Sequence, residues 1–117
     1  MRNGLIVDED GTKRWYQNNL LHQTDGPAVE LVNGIKEWYQ HGQRHRTNGP
    51  AVEYADGDKE WYQHGLLHRI DGPAVEHYTD NIQRWCVEGV AYDFNDWLEL
   101  VDTYTEVEKT LMRLQHA

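Results

Sequence analysis

Short runs of alternating apolar and polar residues, separated by Gly, Asn, Asp or Pro, make up residues 1–92. The run that begins with Trp-Tyr-Gln occurs at Trp15, Trp38 and Trp61, and a related run begins at Trp85, so these tryptophans stand 23, 23 and 24 residues apart. Because successive side chains of a strand point to opposite faces, each Trp and the residue after it are expected on opposite faces of a sheet. The fixed period predicts a repeat architecture in which each unit covers its neighbour's apolar face.

Two turn signals divide each unit into short strands. The first is Asn18-Asn19, His41-Gly42 or His64-Gly65, pairs that favour a tight hairpin turn with positive φ angles. The second is Asp-Gly-Pro or Asn-Gly-Pro, in which the proline fixes its own φ and keeps the preceding glycine out of the helical region. We therefore predict a mainly β fold for residues 1–92, with tandem antiparallel β-hairpin or meander repeats of about 23 residues: a partial N-terminal unit, three full units and a partial fourth. Leu5-Ile6-Val7 is expected to form the first edge strand.

From Asp93 onward the apolar residues recur at intervals of three or four, a spacing typical of an amphipathic helix. They are Trp97, Leu100, Val101, Tyr104, Val107, Leu111 and Leu114. Asp93 suits the N-cap position, where a carboxylate accepts hydrogen bonds from the free amides of the first turn. We predict a single acidic, amphipathic α-helix over residues 93–117 that caps the last repeat, since a repeat array requires a different surface at its end.

The charge of the chain is strongly negative. Its 117 residues include 20 acidic and 11 basic side chains, a formal charge of −9, and residues 88–117 alone hold seven acids and two bases. Nucleic acids and anionic membranes are bound through clustered Lys and Arg, so direct binding to either is not expected. Cys86 is the single cysteine and excludes an intrachain disulfide. Without an apolar window of 18 residues or a secretory signal, we expect a cytoplasmic protein, and no cofactor is predicted.

The middle unit resembles the MORN repeat, through residues 38–42 (Trp-Tyr-Gln-His-Gly) and the closing residues 54–57 (Tyr-Ala-Asp-Gly). The pattern Trp-Tyr…His-Arg…Asp-Gly-Pro-Ala, most complete at residues 68–74, is similar to a MORN-like variant of uncharacterised bacteriophage and large-virus proteins. The resemblance spans residues 11–90, with Arg in place of the family's usual Gly after the His. It implies an extended, curved antiparallel sheet that binds other macromolecules, and a phage or viral origin, which would place the protein in a host cytoplasm.

Two surfaces are candidates for binding a partner. The tyrosine ladder, Tyr16, Tyr39 and Tyr62, is expected on the face opposite the tryptophans, where rigid aromatic side chains give a large contact area at low entropic cost. The second candidate is the acidic side of the predicted helix, because carboxylates spaced along a rod can occupy a basic groove on a partner. Its members are Asp96, Glu99, Asp102 and Glu106.

The other recurrent residues are assigned to the structural core of the repeats. They are Trp15, Trp38, Trp61, Trp85, His22, His45, His68, Pro27, Pro50 and Pro73. Each of these histidines stands three residues before an Asp or Asn, a register that a zinc or acid–base site could use. Equivalent residues of stacked repeats lie one repeat apart, however, which favours a structural hydrogen bond from each imidazole to the turn. No metal ligand or catalytic residue is therefore assigned.

These observations together predict a non-catalytic interaction protein. Its expected partner is a host protein with a basic surface, such as a defence or nucleic-acid-handling complex that it inhibits. Two alternatives remain open: a small-molecule binder with a pocket between the sheet and the C-terminal helix, and an enzyme or metal protein that uses the His/Asp register. Self-association into a homo-oligomer through the open aromatic face is a further possibility.

Overall fold

A computed structural model describes residues 2–116 of the chain, in which antiparallel strands predominate. The strands are β1 (Gly4–Val7), β2 (Lys13–Gln17), β3 (Leu20–Leu21), β4 (Val29–Glu30), β5 (Lys36–Glu37), β6 (Tyr39–Gln40), β7 (Gln43–Arg44), β8 (Val52–Glu53), β9 (Lys59–Glu60), β10 (Tyr62–Gln63), β11 (Leu66–Leu67), β12 (Val75–His77), β13 (Ile82–Val87) and β14 (Val90–Tyr92), and the helices are α1 (Phe94–Leu100) and α2 (Glu106–Gln115). The prediction of a mainly β, antiparallel fold with helical structure at its C-terminal end is confirmed.

The strands follow one another across a long sheet in the order β1-β2-β4-β5-β8-β9-β12-β13-β14, with β3 paired to β2. The hairpins β6–β7 and β10–β11 form separate two-stranded sheets. Neighbours in the sheet are therefore close neighbours along the chain, as in a meander, and β1 forms one edge as predicted. Strands lie about 4.8 Å apart, so stacking them accounts for the long axis of the molecule, which measures 50 Å against 28 and 20 Å for the other axes.

The predicted hairpin turns are present with the expected backbone conformation. Both residues of Asn18-Asn19, His41-Gly42 and His64-Gly65 have positive φ, as does Glu88-Gly89 in the fourth unit. Two central residues with positive φ give a turn whose twist matches that of the flanking strands. The turns therefore fix which residues pair in each hairpin, for example Tyr62 with Leu67.

Charged residues of opposite sign face one another along one row of the sheet. The register pairs are Lys13–Glu30, Glu30–Lys36, Lys36–Glu53, Glu53–Lys59 and Lys59–Glu76. Opposite charges directly across from one another contribute roughly 0.2–1 kcal/mol each, whereas like charges would be destabilising. If a strand paired with the next strand but one, Lys would lie beside Lys or Glu beside Glu. The row therefore also specifies how the units pair.

The most deeply buried residues of the sheet come from the Ala-Val of each unit. Ala28, Ala51 and Ala74 have no exposed surface, and the valines that follow them are buried as well. The amide of each unit's Trp donates to the carbonyl of one of these alanines, at 2.7–2.8 Å. Trp85 is buried, whereas Trp15, Trp38 and Trp61, assigned to the core from the sequence, retain partly exposed rings.

The C-terminal region contains two helices instead of the single helix predicted over residues 93–117, of which Ala117 lies outside the described residues. Asp93 is the N-cap of α1, as predicted, and its carboxylate accepts from the amide of Asp96 at 2.8 Å. The chain leaves the helix at Val101, which has extended φ and ψ. Thr105 and Glu108 then form a reciprocal capping box that begins α2.

Helix α1 covers the end of the sheet. Trp97 and Leu98 are fully buried, and the Trp97 ring packs on Trp85 with centroids 4.6 Å apart. The indole N–H of Trp97 donates to the carbonyl of Arg69 at 3.1 Å. The predicted apolar face is only partly used, since Val101 is buried but Leu100 is half exposed. Val107, Leu111 and Leu114 were expected to pack on the repeats and instead face solvent, because the break at residues 101–105 reorients α2.

Candidate functional site

Two arginines lie over two tryptophans of the repeated units. The guanidinium carbon of Arg46 is 3.9 Å from the ring centroid of Trp38, and that of Arg69 is 3.7 Å from the ring centroid of Trp61. A cation above an indole is attracted by the quadrupole of the ring, more strongly where water is partly excluded. We call the face of the sheet that carries these stacks the Trp face.

The guanidinium of Arg69 is also hydrogen-bonded to the loop that follows it. Its Nη1 donates to the carbonyl of Pro73 and to the carboxylate of Glu76, both at 3.1 Å, and its Nε donates to Asp71 at 2.8 Å. Four contacts thus hold one planar group, and the Gly-Pro turn is tied to Trp61 through it. This arrangement gives the Trp face a fixed shape.

Arg46 repeats the arrangement in weaker form. It donates to the carbonyl of Pro50 at 3.0 Å and to Glu53 at 3.4 Å. The first unit has Gln23 at the equivalent position, and a neutral amide cannot provide the cation for Trp15. The stack is therefore a property of the second and third units.

The glycine of the Gly-Pro turn lies directly beneath the guanidinium. A Cβ placed on Gly72 would stand 2.6 Å from Cζ of Arg69, and one placed on Gly49 would stand 2.9 Å from Cζ of Arg46. At Gly26, where the unit has no arginine, nothing lies within 4 Å of the same position. None of the three has positive φ. The arginine, not the backbone conformation, thus explains the need for glycine at two of these turns.

Two grooves on the Trp face are lined by equivalent residues of successive units. Groove A has a volume of about 400 Å³ and groove B of about 660 Å³. The equivalent lining residues, 23 positions apart, include Thr24 and Thr47, Trp38 and Trp61, Gln40 and Gln63, and His45 and His68. Each unit adds two strands to the sheet, so the grooves follow one another at intervals of about 10 Å. Thr103, between α1 and α2, closes one side of groove B.

Three histidines connect successive units at the base of the hairpins. The Nδ1 atoms of His22 and His45 accept hydrogen bonds from the backbone amides of His41 and His64, each at 3.0 Å, and Nδ1 of His68 accepts from Glu88 at 2.9 Å. The sequence suggested a bond to a turn. The turn they contact is the hairpin turn of the next unit, at the residue with positive φ.

This role requires a neutral imidazole, because a protonated Nδ1 cannot accept a hydrogen bond. Burial lowers the pKa of His22 and His45, and the neighbouring His41 and His64 lower it further. The ring centroids of each pair are 4.5 and 4.6 Å apart. Among the described residues there is no group of three or more His, Cys, Asp or Glu placed to hold a metal ion.

The tyrosine ladder lies within a hydrogen-bonded network on the opposite face. The hydroxyl of Tyr39 donates to Glu37 at 3.0 Å, and that of Tyr62 donates to Glu60 at 3.1 Å. Arg44 donates to Glu37 at 3.0 Å and lies 5.3 Å from the Tyr62 ring centroid, which connects the second and third units. Burial and the nearby carboxylates raise the pKa of both tyrosines.

Tyr54 and the first tyrosine of the ladder, Tyr16, complete this face. Tyr54 donates to Glu60 at 3.2 Å, and burial together with that carboxylate raises its pKa to about 12. Arg2 lies 5.4 Å from the ring centroid of Tyr16. The hydroxyls of Tyr39 and Tyr62 thus already have partners within the chain.

The four acidic residues predicted to bind a partner are exposed at the helical end of the molecule, although not on one helix face. Asp96 and Glu99 belong to α1, Glu106 begins α2, and Asp102 lies in the segment between them. Glu99 pairs with Arg113 and Glu106 with Lys109. The sequence predicted these four residues on one side of a continuous helix. The break after α1 instead divides them between α1, the connecting segment and α2.

Sequence reasoning did not find the arginine stacks or the grooves that they line. The available signal was Arg46 and Arg69 at the same register, each three residues before the Gly of a Gly-Pro pair.

Comparison of the chain with protein-family models, curated proteins and solved structures finds no match. Within residues 2–116, neither helix is sufficiently long and apolar to cross a membrane.

Proposed function

We propose that this chain is a non-catalytic interaction protein that binds an extended polypeptide segment of a partner protein along its Trp face. The observation that supports the proposal is the pair of equivalent grooves, 23 residues apart in sequence and about 10 Å apart in space. Equivalent subsites at a regular interval suit a ligand that itself has a regular interval. Three residues of extended or polyproline II chain span about 9–10 Å.

The lining of the grooves suits a peptide ligand. Each groove is lined by a tryptophan that carries a stacked arginine, and by Thr, Gln and Asn, whose polar groups suit the main chain of a peptide. The side-chain N–H of Gln63 already donates to the carbonyl of Arg46 at 2.8 Å, which leaves its amide oxygen to accept from a ligand. The charge of −9 favours a basic partner and an association that weakens as salt is added. Proteins that handle nucleic acids are partners of this kind.

The test uses a threonine that lines both grooves. Thr47 is exposed, so Thr47→Trp would fill the binding surface without disturbing the core, and the exposed Thr79→Trp adds the same side chain elsewhere. Peptides selected from a random library on the unmodified protein should bind the Thr47→Trp variant at least about tenfold more weakly, and the Thr79→Trp variant equally well. Selected peptides should also share preferred residues at positions i and i+3.

Equal binding to the Thr47→Trp variant would reject the grooves as the site. Failure to select any peptide, together with binding of an oligosaccharide on a glycan array, would replace the polypeptide with a polysaccharide ligand.

Groove B also supports a second candidate function, the binding of a small molecule. Its volume of about 660 Å³ lies in the range of ligand pockets, and Thr103 brings the α1–α2 segment to its edge. Trp97 itself is fully buried and lines neither groove. A ligand that raises the melting temperature of the unmodified protein but not of the Thr47→Trp variant would favour this function.

A further inference from the structure

Helix α2 directs three of its apolar residues away from the rest of the molecule. Val107, Leu111 and Leu114 are 71%, 56% and 70% exposed. Positions i, i+4 and i+7 lie on the same face of a helix, so the three side chains form one continuous row. We call this row the α2 stripe.

The opposite side of α2 makes the contacts with the protein. Lys109 is only 8% exposed, and Met112 packs against the cluster around Trp97. Beyond the helix, the ring of His116 stacks on Phe94 with centroids 4.2 Å apart. A surface helix normally buries its apolar stripe and exposes its charged side. Here α2 is held through Lys109 and Met112, on the side opposite the stripe, and the stripe itself is left exposed.

The surroundings of the α2 stripe are acidic. Glu106 and Glu108 are exposed in the first turn of α2, and Glu99 reaches α2 through its ion pair with Arg113. Glu106 is likewise paired with Lys109, but residues 88–117 together hold seven acids and only two bases. The stripe therefore lies at an end of the molecule that carries a net negative charge.

We propose that the α2 stripe is a docking site for an amphipathic helix whose apolar face is flanked by Lys or Arg. The apolar row would bury leucine-like side chains, and the basic rim would neutralise the carboxylates around it. A second copy of this chain fits less well, because it would bring the same glutamates against one another. The site is separate from the grooves of the Trp face, and a failure at one leaves the other intact.

The proposal is tested with a labelled synthetic peptide of about 18 residues, five helical turns, that has Leu on one face and Lys on the other. A matched peptide has Glu in place of every Lys. Binding is followed by fluorescence anisotropy. The variant Leu111→Ser/Leu114→Ser removes the stripe without altering charge, and Val7→Ser/Val32→Ser removes two exposed valines elsewhere, 54% and 64% exposed.

The Leu/Lys peptide should bind the unmodified protein and the Val7→Ser/Val32→Ser variant alike, and the stripe variant at least about tenfold more weakly. The Leu/Glu peptide should not bind. The variant Glu99→Gln/Glu106→Gln should bind the Leu/Lys peptide more weakly and with a smaller dependence on salt.

Two controls are needed, the melting temperature of the stripe variant and the oligomeric state of the protein. The stripe variant should melt within about 3 °C of the unmodified protein, because substitution of exposed residues has little effect on stability. A much larger decrease would mean that the stripe packs on its own chain and would overturn the proposal. Equal peptide binding by the stripe variant would also overturn it. So would a dimer in sedimentation equilibrium that the stripe variant abolishes, since the occupant would then be a second copy.

Discussion

Gly72 should be required because Arg69 occupies the space that any larger side chain would need. In Gly72→Ala, the new Cβ would stand 2.6, 2.8 and 3.0 Å from Cζ, Nη1 and Nε of Arg69. The backbone can remain in place, since φ at this position is not positive. The guanidinium must move by about 1 Å to reach ordinary van der Waals distance.

The expected cost follows from the contacts that Arg69 would lose. Its cation–π contact with Trp61 contributes about 1 kcal/mol, its hydrogen bond to the Pro73 carbonyl about 1, and its partly exposed pair with Glu76 about 0.5. Replacing Gly by Ala restricts the unfolded chain and offsets about 0.5 kcal/mol. Gly72→Ala should therefore destabilise the fold by about 2 kcal/mol, or about 8 °C in melting temperature.

The chain provides its own control in the first unit. Gly26 has the same place in its turn but no arginine above it, so Gly26→Ala should leave stability unchanged or raise it by about 0.5 kcal/mol. The decisive measurement is a double-mutant cycle by urea denaturation. In the Arg69→Gln background, which reproduces Gln23 of the first unit, Gly72→Ala should become as harmless as Gly26→Ala, with a coupling of about 2 kcal/mol.

Two results would refute this reasoning. One is a Gly72→Ala protein within about 0.5 kcal/mol of the parent, which would mean that the guanidinium moves without losing its contacts. The other is an additive cycle, in which Gly72→Ala costs the same with and without Arg69. Either result would remove the steric explanation of the Gly-Pro motif.

Three shorter predictions concern other parts of the molecule. The pKa values of His22 and His45 are lowered below the ordinary value of 6.5, so the fold favours their neutral forms. Their contribution to stability should therefore be complete above that pH and lost as the pH falls below it. Denaturation measured between pH 7.5 and 5 would detect this loss, and a flat profile would contradict it. Thr105→Ala should remove the capping box with Glu108 and lower the stability of the protein by about 1 kcal/mol. Helix content is measured by circular dichroism. An unchanged spectrum and an unchanged midpoint of unfolding would argue against the prediction. Burial raises the pKa of the Cys86 thiol, so the native protein should react with a thiol reagent far more slowly than the unfolded chain, and equal rates would show that it is accessible.

Local chemistry was sufficient to predict the hairpins and the edge strand. Pairs such as His41-Gly42 specify a turn through positive φ at adjacent positions, and this property does not depend on distant contacts. The Asp93 cap is local in the same sense, because the amide that it binds is three residues away. These elements were therefore predictable from short stretches of sequence.

The binding surface was not predictable in this way because it depends on contacts between units. The stack of Arg69 on Trp61 lies within one unit, but groove B forms only where the Thr47 loop of one unit meets the next unit. The hydrogen bond that His45 accepts was not predictable for the same reason, since its donor, the amide of His64, is 19 residues ahead. A period in sequence shows that equivalent contacts recur, but not which atoms make them.

The C-terminal region shows how a correct pattern can lead to a wrong structure. The apolar spacing from Trp97 to Leu114 fits one helix, yet Thr105-Glu106-Val107-Glu108 is a capping box, which marks the start of a second. Once the chain bends after α1, the two halves of the apolar face no longer point the same way. The first half buries Trp97 against the sheet, while the second is left in solvent as the α2 stripe. The periodicity of α2 therefore describes a face that no other part of residues 2–116 covers, and this is the physical reason to seek its partner outside the chain.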